Sequence, residues 1–185
     1  MPARTLILFV RVAERGPLPA ALRERVLSMT VALSDCEVVI AFTPDNFEAD
    51  VRASLGDAFA YRAQCKGGLD DRLQAAIVDA GVSGSERMLV VDAAGPVLDA
   101  DIIERAFAAL ESSDVVIGPT AEGRYFLIGM REPLTELFES IPWGSDRVVA
   151  ATLAVAVAEG FAVAMLHEMS DSTGAGQLTE SDGRS

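Results

Sequence analysis

Along the chain, short continuous apolar runs alternate with longer stretches in which apolar residues recur every three or four positions. The first run, Thr5 to Val10, predicts a buried strand, and Pro19 to Leu33 then carries Leu22, Val26 and Met29 at helical spacing. Glu37 to Phe42 reads as a second strand, with Thr43-Pro44-Asp45-Asn46 as the loop at its carboxyl end. Next come a short helix over Phe47 to Leu55, a strand over Ala58 to Ala63, and a helix over Leu69 to Ala80 with Leu73, Ala76 and Ile77 inward and Gly81 at its C′ position. Arg87 to Val91 is the apolar centre of the sheet. Asp99 or Asp101 caps a helix running to Leu110, and Ser145 caps a long helix from Asp146 to Glu159 closed by Gly160. That long helix is apolar nearly all round, so burial is expected for it. Phe161 to His167 is the final strand. Strand and helix alternate with no linker or repeat, which predicts an α/β fold with a mainly parallel sheet. Residues 1–173 form one domain in this reading, and 174–185 are a polar, Gly/Ser-rich tail expected to be disordered.

One departure from simple alternation locates the expected active site. Val115 to Ile117 and Tyr125 to Ile128 are β-branched and aromatic runs too short for helices, punctuated by Gly118-Pro119 and Gly123. They read as two strands meeting at a tight loop that can present Glu122 beside a ligand. Arg124 follows the loop glycine directly, at a place where close backbone approach favours a second glycine.

Composition narrows the partners. A chain of 185 residues, half of them hydrophobic, is long enough for one domain with a real core. Its formal charge of −13 repels phosphate backbones and anionic lipid, and no Lys/Arg cluster offsets it, which argues against nucleic-acid or membrane-surface binding. Apolar runs stay short and the N-terminus lacks a secretory pattern, so a soluble cytoplasmic protein without membrane insertion is expected. Cys36 and Cys65 fit no metal or redox spacing and read as idle thiols. Lys66 is the only lysine, hence the one candidate for phosphate chemistry that needs one.

Three segments, in order, carry a resemblance. Gln64-Cys-Lys-Gly-Gly-Leu-Asp-Asp-Arg-Leu73 is similar to Q-x-x-G-D-L-G-E-R-M, and Asp114 to Gly129 to D-x-V-x-G-P-A-x-D-G-G-Y-Y-L-I-G. Ile141-Pro-Trp-Gly-Ser-Asp-Arg-Val148 is similar to I-x-W-S-T-x-x-V. These are motifs of the domain-of-unknown-function 2064 family of small bacterial glycosyltransferase-like proteins, which the chain resembles from residue 6 to about residue 173. The resemblance implies the GT-A, nucleotide-diphospho-sugar transferase fold: a three-layer α/β/α sandwich with a mainly parallel mixed sheet.

The same resemblance exposes substitutions where that family is expected to hold its ligands. After the first strand the family has F-A-R-x-P-x-x-G-x-x-K-T-R-L; here Phe9, Arg11, Gly16 and Leu22 remain, but Pro19, Ala20 and Ala21 stand at K-T-R. Charge-assisted hydrogen bonds contribute about 1.5–3 kcal/mol each, so several such losses would turn micromolar diphosphate binding into millimolar. The family's central G-x-D-x-P becomes Asp92-Ala-Ala-Gly-Pro96, placing Ala94 at the acidic position and Asp92 one strand repeat, roughly 6–7 Å, deeper. D-G-G-Y becomes Glu122-Gly123-Arg124-Tyr125, and the closing D-x-D-T becomes Ser170-Asp171-Ser172-Thr173. Hydroxyls are poor substitutes for carboxylates around Mg²⁺.

Each candidate has a plainer reading beside the functional one. Glu122 is a general base or metal ligand, or a solvated turn carboxylate; Arg124 replaces the missing phosphate cations, or fills the pocket by pairing with Glu122, the favoured outcome. Asp92 binds metal or caps the backbone at 94 to 96. Lys66-Gly67-Gly68 cradles phosphate or is only a turn before a helix, and Arg72 reaches a site or pairs with Asp71 or Glu86. Asp171 survives as a metal candidate on an alternating strand that aims it away. His167, the only histidine, reads as structural, and Trp143 as packing or as a stacking surface for a base or sugar.

The sequence leaves three functions open. The first is a divergent nucleotide-sugar glycosyltransferase-like protein with metal-dependent catalysis reduced or lost and a residual binding or scaffold role. The second is an active transferase or nucleotidyltransferase using Asp92, Glu122 and Asp171 around Mg²⁺ or Mn²⁺. The third is a metal-independent nucleotidyltransferase-type or phosphosugar-binding module in which Arg11, Arg15, Lys66 and Arg124 supply the positive charge. The ligand in each case is a nucleotide-sugar or phosphosugar. A homo-oligomer is a further option, through the helix Val148 to Ala158 if that helix is exposed.

Overall fold

The computed structural model describes residues 4–170. Strand β1 (Arg4–Arg11) is followed by helix α1 (Ala20–Thr30), β2 (Glu37–Thr43), a 3-10 turn at Asp45–Phe47 and α2 (Glu48–Leu55). Then come β3 (Ala60–Ala63), α3 (Leu69–Val82), β4 (Arg87–Asp92) and α4 (Ala100–Ala109). The hairpin of β5 (Val115–Pro119) and β6 (Tyr125–Met130) precedes a second 3-10 turn at Thr135–Phe138, α5 (Val148–Glu159) and β7 (Val163–Met165).

The strands form one seven-stranded sheet in the order β3-β2-β1-β4-β6-β5-β7. β1, β2, β3 and β4 are mutually parallel where they pair, β7 runs parallel to β5, and β6 is antiparallel to both β4 and β5. A sheet covered on both faces needs strands that are apolar on both faces, which is why β1 and β4 read as unbroken hydrophobic runs. One face packs Val26 and Met29 of α1, Val51 and Leu55 of α2, and Ile103 and Phe107 of α4 against Leu8, Val10 and Val91. The opposite face packs Leu73 and Ile77 of α3 and Val148 and Ala156 of α5 against Ile7, Val90 and Ile128. The mixed sheet and the three-layer α/β/α arrangement agree with the fold expected from the sequence. Tyr125 and Phe126 sit in opposite layers, as alternate-face packing requires.

Several boundaries differ. α1 stops at Thr30 rather than Leu33, and the Thr30 hydroxyl bonds back to the Val26 carbonyl at 2.9 Å. Gly81 lies inside α3, not at its C′ position; a Cβ there would sit 2.4 Å from the Pro133 ring, so packing rather than helix termination calls for glycine, and the helix closes two residues later, with Ser83 N–H on the Asp79 carbonyl at 3.0 Å. Between the two candidate caps of α4, it is Asp99 whose carboxylate accepts from Ile102 N–H, at 3.0 Å. α5 begins at Val148, and Ser145 caps the preceding turn by accepting from Arg147 N–H at 3.2 Å, so Ser145 is not the helix N-cap. Gly160 closes α5 in the left-handed region as expected.

The burial expected for α5 does not hold all round. Val148, Thr152 and Ala156 are buried, whereas Val157 is 74% exposed and Ala150, Ala154 and Ala158 face solvent. The helix covers the sheet along one stripe, and its outer side is largely alanine. Among the described residues no helix is long and apolar enough to cross a membrane.

Candidate functional site

In an open parallel sheet, loops at the carboxyl ends of strands diverge where the connections change direction, and that divergence leaves a crevice. Here β1 connects outward to β2 and β3 on one side and borders β4 on the other. The registers Arg11 with Thr43 and Phe9 with Asp92 bring the ends of β1, β2 and β4 to one rim. On the β1–β3 side of this rim lies an open cleft of about 450 Å³.

Its walls include Arg11, Thr43, Asp45, Gln64, Lys66 and Arg72. Arg11 is the last residue of β1, and the next residue extends the pairing through Val12 N–H to the Thr43 carbonyl at 2.9 Å. Gln64 follows β3 and is fixed twice: its backbone N–H donates to the Phe42 carbonyl at 2.8 Å and its side-chain amide to the Ala41 carbonyl at 2.7 Å. The Gln64 side-chain oxygen then accepts from Arg72 Nη1 at 3.3 Å, while Arg72 Nε donates to the Gly68 carbonyl at 3.2 Å. These two bonds hold the Arg72 guanidinium at the wall of the cleft. Asp71 accepts from Gly68 N–H at 3.0 Å, at the start of α3. Gly67 has φ +125°, and a Cβ there would fall 2.3 Å from the Asp71 carboxylate, so only glycine fits this turn.

Three cations, Arg11, Lys66 and Arg72, therefore share the cleft with one carboxylate, Asp45. This is a local reversal of the molecule's acidic balance. Cys65 also lines the cleft; burial, then Asp71, pushes its thiol above the ordinary value, so it stays protonated at neutral pH and is no ready nucleophile.

The other candidates are placed differently. Asp92, 9% exposed at the end of β4, accepts from Ala94 N–H at 2.9 Å, which is the capping role. The loop it caps is also held by Arg25, whose Nη1 donates to the Ala94 and Gly95 carbonyls at 2.8 and 2.9 Å. Glu122 and Arg124 lie on the β5–β6 turn, and neither is among the residues of the 450 Å³ cleft. The expected pairing between them is not made: no ion pair joins them among the described residues, and Glu122 Oε2 and Arg124 Nε are each buried without a hydrogen-bond partner. The turn itself is seated on the entry of α5. Gly123 has φ +74°, its Cβ position lies 1.9 Å from the Asp146 carbonyl oxygen, and its own carbonyl accepts from Val149 N–H at 3.0 Å. The close approach that requires glycine is to the entry of α5, not to a ligand.

Trp143 packs edge-on to Tyr125 and stacks on Phe138, with ring centroids 6.0 and 6.5 Å apart. His167 is exposed. Asp171 lies outside the described residues. Among the described residues no three His, Cys, Asp or Glu side chains converge well enough to hold a metal ion. The donor set of the described residues does not fit Mg²⁺ or Mn²⁺, since no three carboxylate, His or Cys side chains converge and the family's acidic position is occupied by Ala94.

Sequence reasoning singled out Arg11, Lys66, Gly67 and Arg72, which the structure brings together, but passed over Gln64 and Arg25. Gln64 headed a recognised motif, and its position at the carboxyl end of β3 was the available signal. Arg25 had none, because its role depends on where α1 lies against the loop after β4.

Solved structures share this architecture. A candidate nucleotide-diphospho-sugar transferase from Desulfovibrio desulfuricans G20 superposes with a TM-score of 0.82 at 22% identity, over 92% of this chain and 82% of that one. A cytidylyltransferase from Leptospira borgpetersenii serovar Hardjo-bovis gives 0.61 at 14% identity, over 94% and 79%. A mannosyltransferase from Pyrobaculum calidifontis, in complex with GDP-Man and Mn²⁺, gives 0.59 at 17% identity, over 91% of this chain and 56% of that one. Such identities establish the fold and no more. No curated protein matches the sequence. Residues 26–145, more than half of the chain, match the family described as uncharacterized protein conserved in bacteria (DUF2064). With the GT-A-like fold and that match in hand, the chain belongs to the DUF2064 family.

Proposed function

We propose that this protein binds a nucleotide-sugar or phosphosugar in the cleft at the ends of β1, β2 and β3, with metal-dependent glycosyl transfer reduced or lost and a binding or scaffold role remaining. The observation that carries the proposal is the separation of charges: Arg11, Lys66 and Arg72 share one cleft, while Asp92 caps the loop after β4 and Glu122 lies on the β5–β6 turn, outside the cleft lining. A diphosphate placed there would meet cations on three elements and the backbone of the Lys66-Gly67-Gly68 turn. Nothing in that set requires a metal bridge.

Calorimetric titration of UDP-, GDP- and dTDP-sugars, with and without Mn²⁺, tests this directly. Binding is expected without metal, and Lys66→Ala should weaken it roughly tenfold to a hundredfold, since one charge-assisted contact is lost and no other lysine can replace it. Binding that requires Mn²⁺ and vanishes in Glu122→Ala would overturn the proposal.

One observation favours the rival reading of a working transferase with a rearranged site. Glu122 Oε2 is buried with no hydrogen-bond partner among the described residues, so its carboxylate is available to position or deprotonate an acceptor hydroxyl. Release of nucleoside diphosphate from a sugar donor, abolished in Glu122→Gln with the fold intact, would establish that reading.

A further inference from the structure

The cleft continues behind Arg72. A narrower compartment of about 140 Å³ opens between the sheet and α3, and Gln64, Cys65 and Arg72 line both spaces. Its floor is Ile7, Val39 and Ala41 on β1 and β2, and its facing wall is Ala76 and Ala80 on α3. The alanines at 41, 63, 75, 76 and 80 leave a slot rather than a filled layer. Its polar lining is divided between two ends: Arg62, beside Ala41, lies with Gln64 and Arg72 toward the carboxyl ends of the strands, whereas Glu37, beside Thr5, lies at the amino end of β2 and Asp79 lies about two turns along α3 from Arg72. At the junction the Arg72 guanidinium is held in place by Gln64 at 3.3 Å and Gly68 at 3.2 Å.

We infer that this compartment takes a flat aromatic group carried by the phosphorylated ligand whose anionic part occupies the cleft, with Arg72 stacking on the ring as it enters. The inference rests on the anion-binding reading of the cleft and adds the ligand's other half. Apolar walls with a few polar groups at the rim are the usual make-up of a small-molecule pocket. A planar, weakly hydrated guanidinium is suited to stacking on an aromatic face. A sugar ring with hydroxyls on every side would leave them unpaired against Ile7, Val39 and Ala76, at a cost in desolvation. A nucleobase and a simple aryl group share the required chemistry.

The test uses the full chain and compares ligands in matched pairs by equilibrium titration: inorganic phosphate with phenyl phosphate, inorganic pyrophosphate with UDP and ADP, and uridine alone. Each aromatic member is expected to bind about tenfold or more tightly than its inorganic parent, a margin of about 1.4 kcal/mol. Ala76→Phe, which fills the slot, should erase that margin, and Ala75→Leu serves as a second variant if Ala76→Phe does not fold. A margin for UDP and ADP without one for phenyl phosphate assigns the slot to nucleobases; a margin in all three assigns it to aryl groups generally. Equal affinities within every pair, or a margin that survives both variants, overturns the inference while leaving the anion cleft intact. Uridine binding that disappears in Ala76→Phe, with pyrophosphate not bound at all, supports the slot and sinks the cleft reading instead.

Discussion

At the scale of single residues, the polar atoms left without partners are the ones that invite measurement. Tyr125 is 2% exposed and its hydroxyl has no hydrogen-bond partner. A buried, unpaired hydroxyl costs more than it returns, so Tyr125→Phe is expected to stabilise the protein by about 1 kcal/mol, read as a higher urea midpoint. Burial also pushes the Tyr125 hydroxyl well above its ordinary value of 10.0 and the Cys36 thiol from 9.0 to about 11. Both groups are neutral acids that the fold prefers to keep protonated. The unfolded chain therefore releases these protons first, and the associated stability is whole below pH 9 and is lost as pH rises toward 11. Urea midpoints measured between pH 8 and 11 should fall across this window, and Tyr125→Phe should flatten the upper part of the fall. A midpoint that is independent of pH in the parent protein would contradict this account.

Among elements, the decisive contact is the seating of the β5–β6 turn on the entry of α5. Gly123→Ala places a methyl 1.9 Å from the Asp146 carbonyl at φ +74°. It should cost about 2 kcal/mol or more, because both the steric clash and the left-handed conformation act against it. The same variant should loosen Val149 N–H, whose 3.0 Å bond to Gly123 anchors the first turn of the helix, and hydrogen exchange at Val149 would report it. On the buried stripe of α5, the hydroxyl of fully buried Thr152 has no hydrogen-bond partner among the described residues, and Thr152→Val should raise stability by about 1 kcal/mol. A drop in melting temperature for Thr152→Val would show that the hydroxyl has a partner in solution. The outward residue Val157 makes no comparable claim on stability.

For the molecule as a whole, the sheet separates stability from binding. Lys66 follows β3 and Tyr125 opens β6, four strands away in the order β3-β2-β1-β4-β6. At a strand spacing of about 4.8 Å that separation is roughly 19 Å, well beyond the range in which substitutions couple. The double variant carrying Lys66→Ala and Tyr125→Phe should therefore show the sum of the two single effects. Its ligand affinity should match Lys66→Ala alone and its urea midpoint Tyr125→Phe alone. A double variant whose affinity differs from that of Lys66→Ala by more than about threefold would reveal communication across the sheet.

The division between what could be read from the chain and what could not follows from the range of the forces involved. Period and punctuation are local, so the apolar run of β1, the spacing of Leu73, Ala76 and Ile77, and the glycine-bearing turn before Tyr125 all specified the α/β fold in advance. Arg11, Lys66, Gly67 and Arg72 were legible as ligand candidates because each sits at an element end that the fold must bring to the sheet's carboxyl rim. Burial of α5 was misjudged, since an alanine-rich helix looks apolar whether or not a second layer covers it. The roles of Gln64, Arg25 and Gly123 depended on partners tens of residues away: the Ala41 carbonyl, the loop at Ala94, and the Asp146 carbonyl. The sequence by itself determined which elements form and which ends carry charge. Only the tertiary structure decided that the cations gather in one cleft while Asp92 and Glu122 do not, because that outcome rests on close approaches between elements that no local pattern encodes.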